Sequence, residues 1–379
     1  MKKIHYLLTS AGLLSVCLIA CSKSVTPPNE LTYKTIGSDN YSIHTELQEG
    51  FLNSEYPSSY LSQHDLIAYD SYSTSRDVTI TWEVETDNQT TPPKYIFELS
   101  EKSDFVGDSE SFVTKKNNVT LSNLRVNTDY YYRVTSYYDE EHQFVSDTQT
   151  FRAGDKLRNI NVEGVENMRD IGGYDLENGH KIKQGLIYRS AQFNYPKPSE
   201  DDRYDPVISK PTKKGLSTLK DQLKIKTEID LRKDTETDGI TSSPIGKNVN
   251  YVHLPMTYGN TDVLTNEVNH ESIVAFFDLL ADENNYPLVF HCIQGKDRTG
   301  ALAFVLGTLL GATYEDMVLD YLFSNFAKIG SKATGTSHQY VIDGYAGETR
   351  REKTINYLTS EAVGIQRSVI DKIISILEE

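Results

Sequence analysis

The sequence predicts two folded domains: an all-β sandwich and, after it, an α/β domain in which helices flank a central sheet. Between residues 70 and 153, apolar and polar residues alternate in short runs separated by polar turns, which is the pattern of half-buried strands in a sandwich. From residue 154 to residue 379, strand-like runs alternate with helix-like runs, which predicts an α/β layer fold. With 379 residues the chain is long enough to form both cores.

The charge balance excludes one class of partner. The chain has 38 Lys and Arg residues against 54 Asp and Glu residues, a formal net charge of −16. Nucleic-acid-binding proteins need a basic surface, so we expect no nucleic-acid partner. A site for an anionic substrate must therefore be built locally. The composition leaves the oligomeric state open.

The first 20 residues have the composition of a signal peptide. Lys2 and Lys3 precede an apolar run, Leu7–Ala20, that is too short to span a membrane. The run ends in "LIAC", Leu18–Cys21, which resembles a bacterial lipobox, where the peptide is cut before a cysteine and that cysteine is acylated. The resemblance implies a lipid anchor on Cys21 and an extracytoplasmic protein held at the bacterial cell membrane or outer membrane. An ordinary secretory signal that contains Cys21 is the alternative.

The lipidated cysteine and a polar tether would then occupy residues 21–69, to which we assign no defined structure. Cys17 leaves with the signal and Cys21 carries the lipid, so Cys292 is the sole free thiol of the mature protein. Such a thiol cannot form an internal disulfide, and it is either buried and inert or reactive.

The predicted sandwich, residues 70–153, starts with a clear strand. The stretch "VTITWEV" places Val78, Ile80, Trp82 and Val84 on one face, as a half-buried strand requires. "KYIFELS" and "NVTLSNLRVNTDYYYRVTSYY" follow as further strands with turns between them.

The last of these stretches carries a resemblance to a known domain. Leu124, Thr128, Tyr130 and Val134 resemble the turn and strand around the tyrosine corner of fibronectin type III domains, with Val126 where those domains usually have proline. The resemblance implies a fibronectin type III-like sandwich. We expect a spacer or packing role for it, with ligand binding as the alternative.

The second domain, residues 154–379, is built from alternating elements. We predict strands at "GLIYRSAQ", "KIKTEIDLR", "NVNYVHLPM" and "YPLVFHC", and helices at "PTKKGLSTLKDQL" and "NHESIVAFFDLLADE". "YPLVFHC" is apolar throughout and suits the centre of a sheet covered on both faces. The run from Thr299 to Thr313 is apolar all round, which predicts a buried helix. Thr313 with Asp316 predicts the N-cap of the next helix.

The stretch "HCIQGKDRTG", residues 291–300, links that central strand to that buried helix. A helix N-terminus that follows a strand presents backbone N–H groups and partial positive charge to an anion. Gly295 lets the loop turn, and Arg298 can grip two oxygens of a phosphate. The same field favours the thiolate of Cys292, which would be placed for in-line attack on a bound phosphate.

The spacing of Cys292, Arg298 and Thr299 resembles the signature loop of the protein tyrosine phosphatase superfamily. The form HCxxGKDRTG is similar to the loop of a bacterial tyrosine and lipid phosphatase subfamily. The stretches "NMRDIGGY", "IYRSAQ", "EIDLR" and "YLTSEAVGI" agree with it. The resemblance covers residues 155 to 379 and implies an α/β cysteine-phosphatase domain.

The resemblance also implies a role for each loop residue. Cys292 is the nucleophile that forms a phosphocysteine, Thr299 donates its hydroxyl to the sulfur, and His291 orients the loop. The phosphoryl oxygens are held by the Arg298 side chain and by the loop residues Ile293, Gln294, Gly295, Lys296, Asp297 and Arg298. We expect no metal and no cofactor.

Two roles stay open at this point. The general acid is assigned to Asp297 inside the loop, because the usual tryptophan-containing acid loop is absent from this domain, with Asp234 and Asp238 as alternatives. Lys296 is expected to meet a second phosphate of the substrate, or else to be a solvated loop lysine. Asp170, with Asn167 and Arg169, is expected to hold the "RDIGG" turn together.

These inferences predict a lipid-anchored phosphomonoester hydrolase. A phosphorylated protein with phosphotyrosine is the first expected substrate, and phosphoinositides are a possible second. The alternatives are a dedicated phosphoinositide or inositol-phosphate phosphatase, and a surface binding lipoprotein whose phosphatase domain is inactive.

Overall fold

The structure is a computed structural model that describes residues 25–34, 39–64, 75–107, 109–154, 156–194, 210–237, 239–259, 262–329 and 332–379. Cys21 and Asp238, both named above, lie outside these residues. No helix within these ranges has the length and apolar character needed to cross a bilayer.

The N-terminal half of the described chain is mostly β-structure. Its strands are β1 Leu31–Lys34, β2 Asn40–Tyr41, β3 Val78–Thr81, β4 Glu83–Thr86, β5 Lys94–Ser100, β6 Glu110–Thr114, β7 Asn118–Leu121, β8 Thr128–Tyr137, β9 Gln143–Val145 and β10 Gln149–Ala153. Six of them form one sheet in the order β2-β10-β8-β5-β6, with β9 on β8, while β1 pairs with β4 and β3 pairs with β7. One apolar cluster joins the three sheets.

The predicted strand "VTITWEV" is divided at Trp82. β3 pairs with β7, whereas β4 pairs with β1. The Trp82 side chain is buried and its ring stacks on Phe97 of β5 at 5.9 Å between centroids. The alternation predicted the inward face correctly, but it could not show that the strand changes partner where the large indole turns into the core.

The predicted stretch "NVTLSNLRVNTDYYYRVTSYY" forms β7 and β8. Tyr130 and Val134 are buried on the inner face of β8. The Tyr130 hydroxyl accepts a hydrogen bond from the backbone N–H of Arg125 at 2.8 Å, the contact that defines a tyrosine corner. The assignment to the fibronectin type III domains stays a prediction.

The C-terminal half contains a five-stranded sheet flanked by helices. Its strands are β11 Arg169–Asp170, β12 Ile187–Ser190, β13 Thr227–Asp230, β14 Asn250–His253 and β15 Leu288–His291. The order is β11-β12-β15-β13-β14, and all neighbours are parallel except β11 with β12. β15 is therefore central, as its unbroken apolar sequence predicted, and every residue in it is buried.

Ten α-helices are described. They are α1 Glu46–Leu52, α2 Pro57–Ser62, α3 Lys213–Ser217, α4 Asp234–Thr237, α5 His270–Leu280, α6 Asp297–Leu310, α7 Tyr314–Phe323, α8 His338–Asp343, α9 Arg350–Leu358 and α10 Arg367–Leu377. After its first residue α6 is buried along its whole length, as predicted. Thr313 caps α7 by accepting a hydrogen bond from the Asp316 N–H at 3.1 Å.

Part of the segment 21–69, which was expected to be a tether without defined structure, is folded. Between residues 39 and 64 the chain forms β2, α1 and α2, and the two helices pack on α7. Phe51 is fully buried there against Phe323 and Phe326. The periodicity of these short helices is weak in the sequence, because they acquire an apolar partner only in the folded protein.

The β-rich half is docked on the α/β half through the turn after β7. Arg158 is buried and bonds the carbonyl oxygens of Asn123 and Leu124 at 2.7 and 3.2 Å. Its Nη1 also meets Asp170 Oδ2 at 2.7 Å. Asp170 in turn accepts the N–H groups of Gly172 and Gly185, so it does hold the "RDIGG" turn and additionally joins that turn to the interface.

Candidate active site

The sequence HCIQGKDRTG forms the loop between the carboxyl end of β15 and the start of α6. Because β15 is the central strand, the loop lies at the middle of the sheet edge where the parallel strands end. Cys292 is 2% exposed and Arg298 is 2% exposed. The structure therefore brings the predicted nucleophile and the predicted phosphate-binding arginine into one buried loop.

Gly295 allows the loop to pass close to β12. Its φ is +66°, and a Cβ atom there would lie 2.2 Å from the carbonyl oxygen of Ser190. The carbonyl oxygen of Gly295 accepts a hydrogen bond from Arg189 Nη2 at 2.7 Å. The carbonyl oxygen of Ile293 accepts from the N–H of Gln192 at 3.0 Å. The end of β12 thus fixes the shape of the loop.

Arg298 is held by both terminal nitrogens of its guanidinium group, of which Nη2 donates to Glu236 Oε1 at 3.5 Å. Nη1 donates to the carbonyl oxygens of Leu231 and Met256, each at 3.2 Å, and to Glu236 Oε2 at 2.6 Å. The guanidinium carbon also lies 4.8 Å from the ring centroid of Tyr258. Burial opposes the charge of Arg298, but Cys292 and Glu236 raise its pKa above the usual value.

Four buried polar atoms around the loop have no hydrogen-bond partner among the described residues. They are Arg298 Nε, Thr299 Oγ1, Ser190 Oγ and Arg189 Nε. Unpaired buried donors are costly and are rare in folded proteins. Their concentration around one loop indicates a site that binds a polar ligand.

A buried ion network supports the loop from behind. Asp320 of α7 pairs with Arg169 Nε at 2.9 Å and with Arg189 Nη1. Burial alone would raise the pKa of Asp320, but the two guanidinium groups hold it below its usual value. Burial lowers the pKa of Arg189 to about 10. Asn167 Nδ2 donates to the carbonyl oxygen of Gln294 at 2.9 Å, so Asn167 and Arg169 brace the loop and α7 as well as the turn.

His291 lies at the other side of the loop, fully buried. Its Nε2 is 3.0 Å from Glu228 Oε1, and its Nδ1 is 3.2 Å from the carbonyl oxygen of Cys292. Burial would raise the pKa of Asp230, but His291 and Arg232 hold it well below its usual value. His291 thus contacts the loop at the carbonyl oxygen of Cys292, and its orienting role stays a prediction.

The candidate acids occupy different surroundings. Asp297 is the first residue of α6 and its side chain is 38% exposed, with Oδ2 3.8 Å from Lys296 Nζ. Its Oδ1 accepts from the Tyr321 hydroxyl at 3.4 Å. Asp234 is 86% exposed in α4, and its Oδ1 lies 3.7 Å from His253 Nδ1.

Lys296 contacts the chain that follows α7. Its side chain is 8% exposed, and Nζ donates to the carbonyl oxygen of Lys332 at 3.2 Å. Gln294 Nε2 similarly donates to the carbonyl oxygen of Ile329 at 2.6 Å. Both side chains therefore tie the loop to the chain after α7, and Lys296 is not the solvated lysine that was the alternative expectation.

Sequence reasoning assigned no role to Arg189, Glu228, Glu236, Asp320 or Tyr258. Arg189 and Glu228 stand in the stretches "IYRSAQ" and "EIDLR", where the signal was a charged residue inside an otherwise apolar strand. Both are fully buried. The other three come from separate elements, and no local pattern connects them to the loop. Within the described ranges, no group of three or more His, Cys, Asp or Glu side chains is placed to hold a metal ion.

Comparison with known proteins agrees with this geometry. The profile of the tyrosine phosphatase family matches residues 160–379. A Cupriavidus necator protein, provisionally named as a tyrosine-protein phosphatase, is 25% identical over 183 residues, which cover 42% of this chain. The match spans 61% of that relative's length.

Two solved structures are similar to part of the chain. The core catalytic domain of the PP-IP phosphatase SIW14 from S. cerevisiae, in complex with citrate, has 17% identity and a TM-score of 0.28, covering 50% of this chain and 87% of that one. P. aeruginosa TpbA in complex with pTyr has 18% identity and a TM-score of 0.28, covering 47% and 90%. At these scores the structural likeness carries no argument. The family profile spans more than half of the chain and contains the whole loop, and the protein belongs to the tyrosine phosphatase family.

Proposed function

We propose that this protein hydrolyses phosphomonoesters through a phosphocysteine at Cys292, with phosphotyrosine in proteins as its main substrate and phosphoinositides as a second class. The supporting observation is the orientation of Arg298. Its Nη1 bonds Leu231, Met256 and Glu236, and Nη2 uses one of its two N–H groups on Glu236 Oε1 at 3.5 Å, whereas Nε is buried and has no partner among the described residues. The edge formed by Nε and Nη2 can therefore take two oxygens of a phosphate.

The reaction proceeds in two steps. The Cys292 thiolate attacks phosphorus in line with the ester oxygen, the S–P bond forms, and the P–O ester bond breaks. Asp297 gives its proton to the departing oxygen. A water molecule then attacks the phosphocysteine and gives a proton to Asp297, the P–S bond breaks, and inorganic phosphate and the thiolate are released.

The other loop residues lower the barrier without forming bonds. Arg298 and the loop N–H groups from Ile293 to Arg298 stabilise the charge on the transferring oxygens. The Thr299 hydroxyl, buried and unpaired, donates to the sulfur when it becomes the leaving group. Arg189 and Arg298 both interact electrostatically with Cys292.

A phosphatase assay tests this proposal directly. The full chain, purified in mild detergent, should hydrolyse p-nitrophenyl phosphate, and EDTA should leave the rate unchanged. Cys292→Ser should abolish turnover while vanadate still binds, because a serine hydroxyl does not ionise in this loop. Turnover by Cys292→Ser within tenfold of the wild type would refute the covalent mechanism, and a rate restored by zinc or magnesium after EDTA would indicate a metal enzyme.

The same assay separates the alternatives. A binding lipoprotein with an inactive domain would hydrolyse no phosphomonoester. We favour the enzyme because Cys292, Asp297 and Arg298 are all present. A dedicated phosphoinositide phosphatase would hydrolyse inositol phosphates and leave phosphotyrosine peptides intact.

We further propose that Cys21 carries the lipid anchor and that the enzyme works at the outer side of a bacterial cell membrane or at the outer membrane. The support is the sequence "LIAC" after a short apolar run. Labelled palmitate should be incorporated into the wild type and not into Cys21→Ser, and the variant should leave the membrane fraction. Membrane association that survives Cys21→Ser would argue against a lipid anchor.

A further inference from the structure

Lys233 and Arg298 contact the same aromatic ring. The Lys233 ammonium lies 5.0 Å from the ring centroid of Tyr258, and the guanidinium carbon of Arg298 lies 4.8 Å from it. The two cations are therefore at most about 10 Å apart. Tyr258 follows β14 and is 45% exposed, so this group forms part of the rim of the site.

Lys233 has no anionic partner in the described chain. No carboxylate there lies within ion-pair distance of its ammonium, although most buried or half-buried cations around the loop are paired. Glu236 accepts a hydrogen bond from the backbone N–H of Lys233 at 2.7 Å, and its carboxylate is paired with Arg298. A cation held over a ring beside a phosphate site, without a counter-charge of its own, is suited to a second anion.

We propose that Lys233, positioned by Tyr258, binds a second phosphate on a substrate whose scissile phosphate is held by Arg298. This inference rests on the proposed function and deepens its second substrate class: small multiply phosphorylated molecules such as inositol bisphosphates, free or as lipid headgroups. The sequence suggested Lys296 for the binding of a second phosphate. We assign this binding to Lys233 instead, because the ammonium of Lys296 donates to the carbonyl oxygen of Lys332.

The short separation favours a second phosphate over a peptide carboxylate. Two phosphates on one inositol ring are held a few bonds apart, so both can reach cations that share one tyrosine ring. An acidic residue next to phosphotyrosine is separated from the phosphate by the phenyl ring and the peptide backbone. Its carboxylate therefore lies farther from the phosphate that Arg298 holds.

The test compares substrates that differ by one phosphate. Lys233→Ala in the full chain should lower kcat/KM for a soluble inositol bisphosphate by about ten- to a hundredfold. Activity on an inositol monophosphate and on a phosphotyrosine peptide with neutral flanks should stay within about threefold of the wild type. Vesicles that contain phosphatidylinositol bisphosphate show whether the lipid headgroup behaves like the soluble compound.

Three variants serve as controls. Lys226→Ala removes the same charge at the other end of β13 and should change no substrate. Lys296→Ala should lower activity on mono- and bisphosphates by the same factor, because it acts on the loop. Tyr258→Ala removes the ring from both Lys233 and Arg298 and should lower activity on monophosphates as well as bisphosphates, with the larger loss on bisphosphates, whereas Tyr258→Phe keeps the ring and should cause neither loss.

Several outcomes would overturn the proposal. They are an equal loss by Lys233→Ala on mono- and bisphosphates, a selective loss with Lys296→Ala instead, or a loss confined to phosphotyrosine peptides with acidic flanks. Absence of any activity in the wild type, including on p-nitrophenyl phosphate, would refute the proposed function itself. A thermal unfolding curve for each variant separates these results from misfolding.

Discussion

Glu236 holds the arginine of the signature loop. Its Oε2 accepts a hydrogen bond from Arg298 Nη1 at 2.6 Å and another from the backbone N–H of Lys233 at 2.7 Å. One carboxylate therefore sets both the direction of the phosphate-binding guanidinium and the conformation of the segment between β13 and α4. This contact joins residues that lie 62 positions apart in the sequence.

Removing this carboxylate should weaken phosphate binding. A hydrogen bond to a charged group contributes about 1.5–3 kcal/mol, so Glu236→Ala should lower kcat/KM by about ten- to a hundredfold on every substrate. Glu236→Gln keeps an acceptor oxygen and should lose less. Competition by vanadate against p-nitrophenyl phosphate measures the effect on binding. Unchanged vanadate affinity in Glu236→Ala would show that Arg298 does not depend on this contact.

Asp297 is expected to protonate the leaving oxygen. General acid catalysis contributes about 10²–10⁴-fold, so Asp297→Asn should slow phenyl phosphate far more than esters of acidic phenols. It should also flatten the alkaline limb of the pH profile. Asp234→Asn is the matched control in α4. If Asp234→Asn shows the leaving-group dependence and Asp297→Asn shows a small uniform loss, the acid is Asp234.

Asp320 is expected to be the main stabilising acid behind the loop. Asp320→Asn would leave Arg169 and Arg189 buried without a charged partner, which costs about 3–5 kcal/mol of unfolding free energy. Urea denaturation measures this loss. Asp278→Asn, an exposed carboxylate of α5, is the control and should change little. A loss below about 1 kcal/mol in Asp320→Asn would mean that the network contributes less than its burial implies.

The same buried carboxylates should make the free energy of unfolding depend on pH in the acid range. The pKa of Asp320 and that of Asp230 are held below the usual value by buried cations. A depressed pKa contributes stability above the pKa of the unfolded chain, about 4, and this stability is lost as pH falls through the folded value. The free energy of unfolding should therefore decrease below pH about 4, with a shallower slope in Asp320→Asn. An unchanged slope would assign acid sensitivity to other groups.

The sequence predicted those parts of the site whose residues are close together along the chain. Cys292 and Arg298 lie six positions apart between an apolar strand and an apolar helix, so the local pattern was enough to place them together. The direction of Lys296 could not be predicted, because it depends on a carbonyl group of the chain after α7. α1 and α2 were missed for a similar reason, since Phe51 has an apolar partner only after α7 has formed.

Rapid-quench trapping of the phosphoenzyme tests the central claim most directly. The full chain is mixed with a labelled phosphotyrosine peptide or p-nitrophenyl phosphate, quenched in acid within one turnover, and digested for mass spectrometry. We expect one phosphoryl group on the sulfur of Cys292, formed and lost at the rate of turnover, and none in Cys292→Ser. A phosphoryl group on another residue, or continued turnover by Cys292→Ser without any phosphoenzyme, would contradict it.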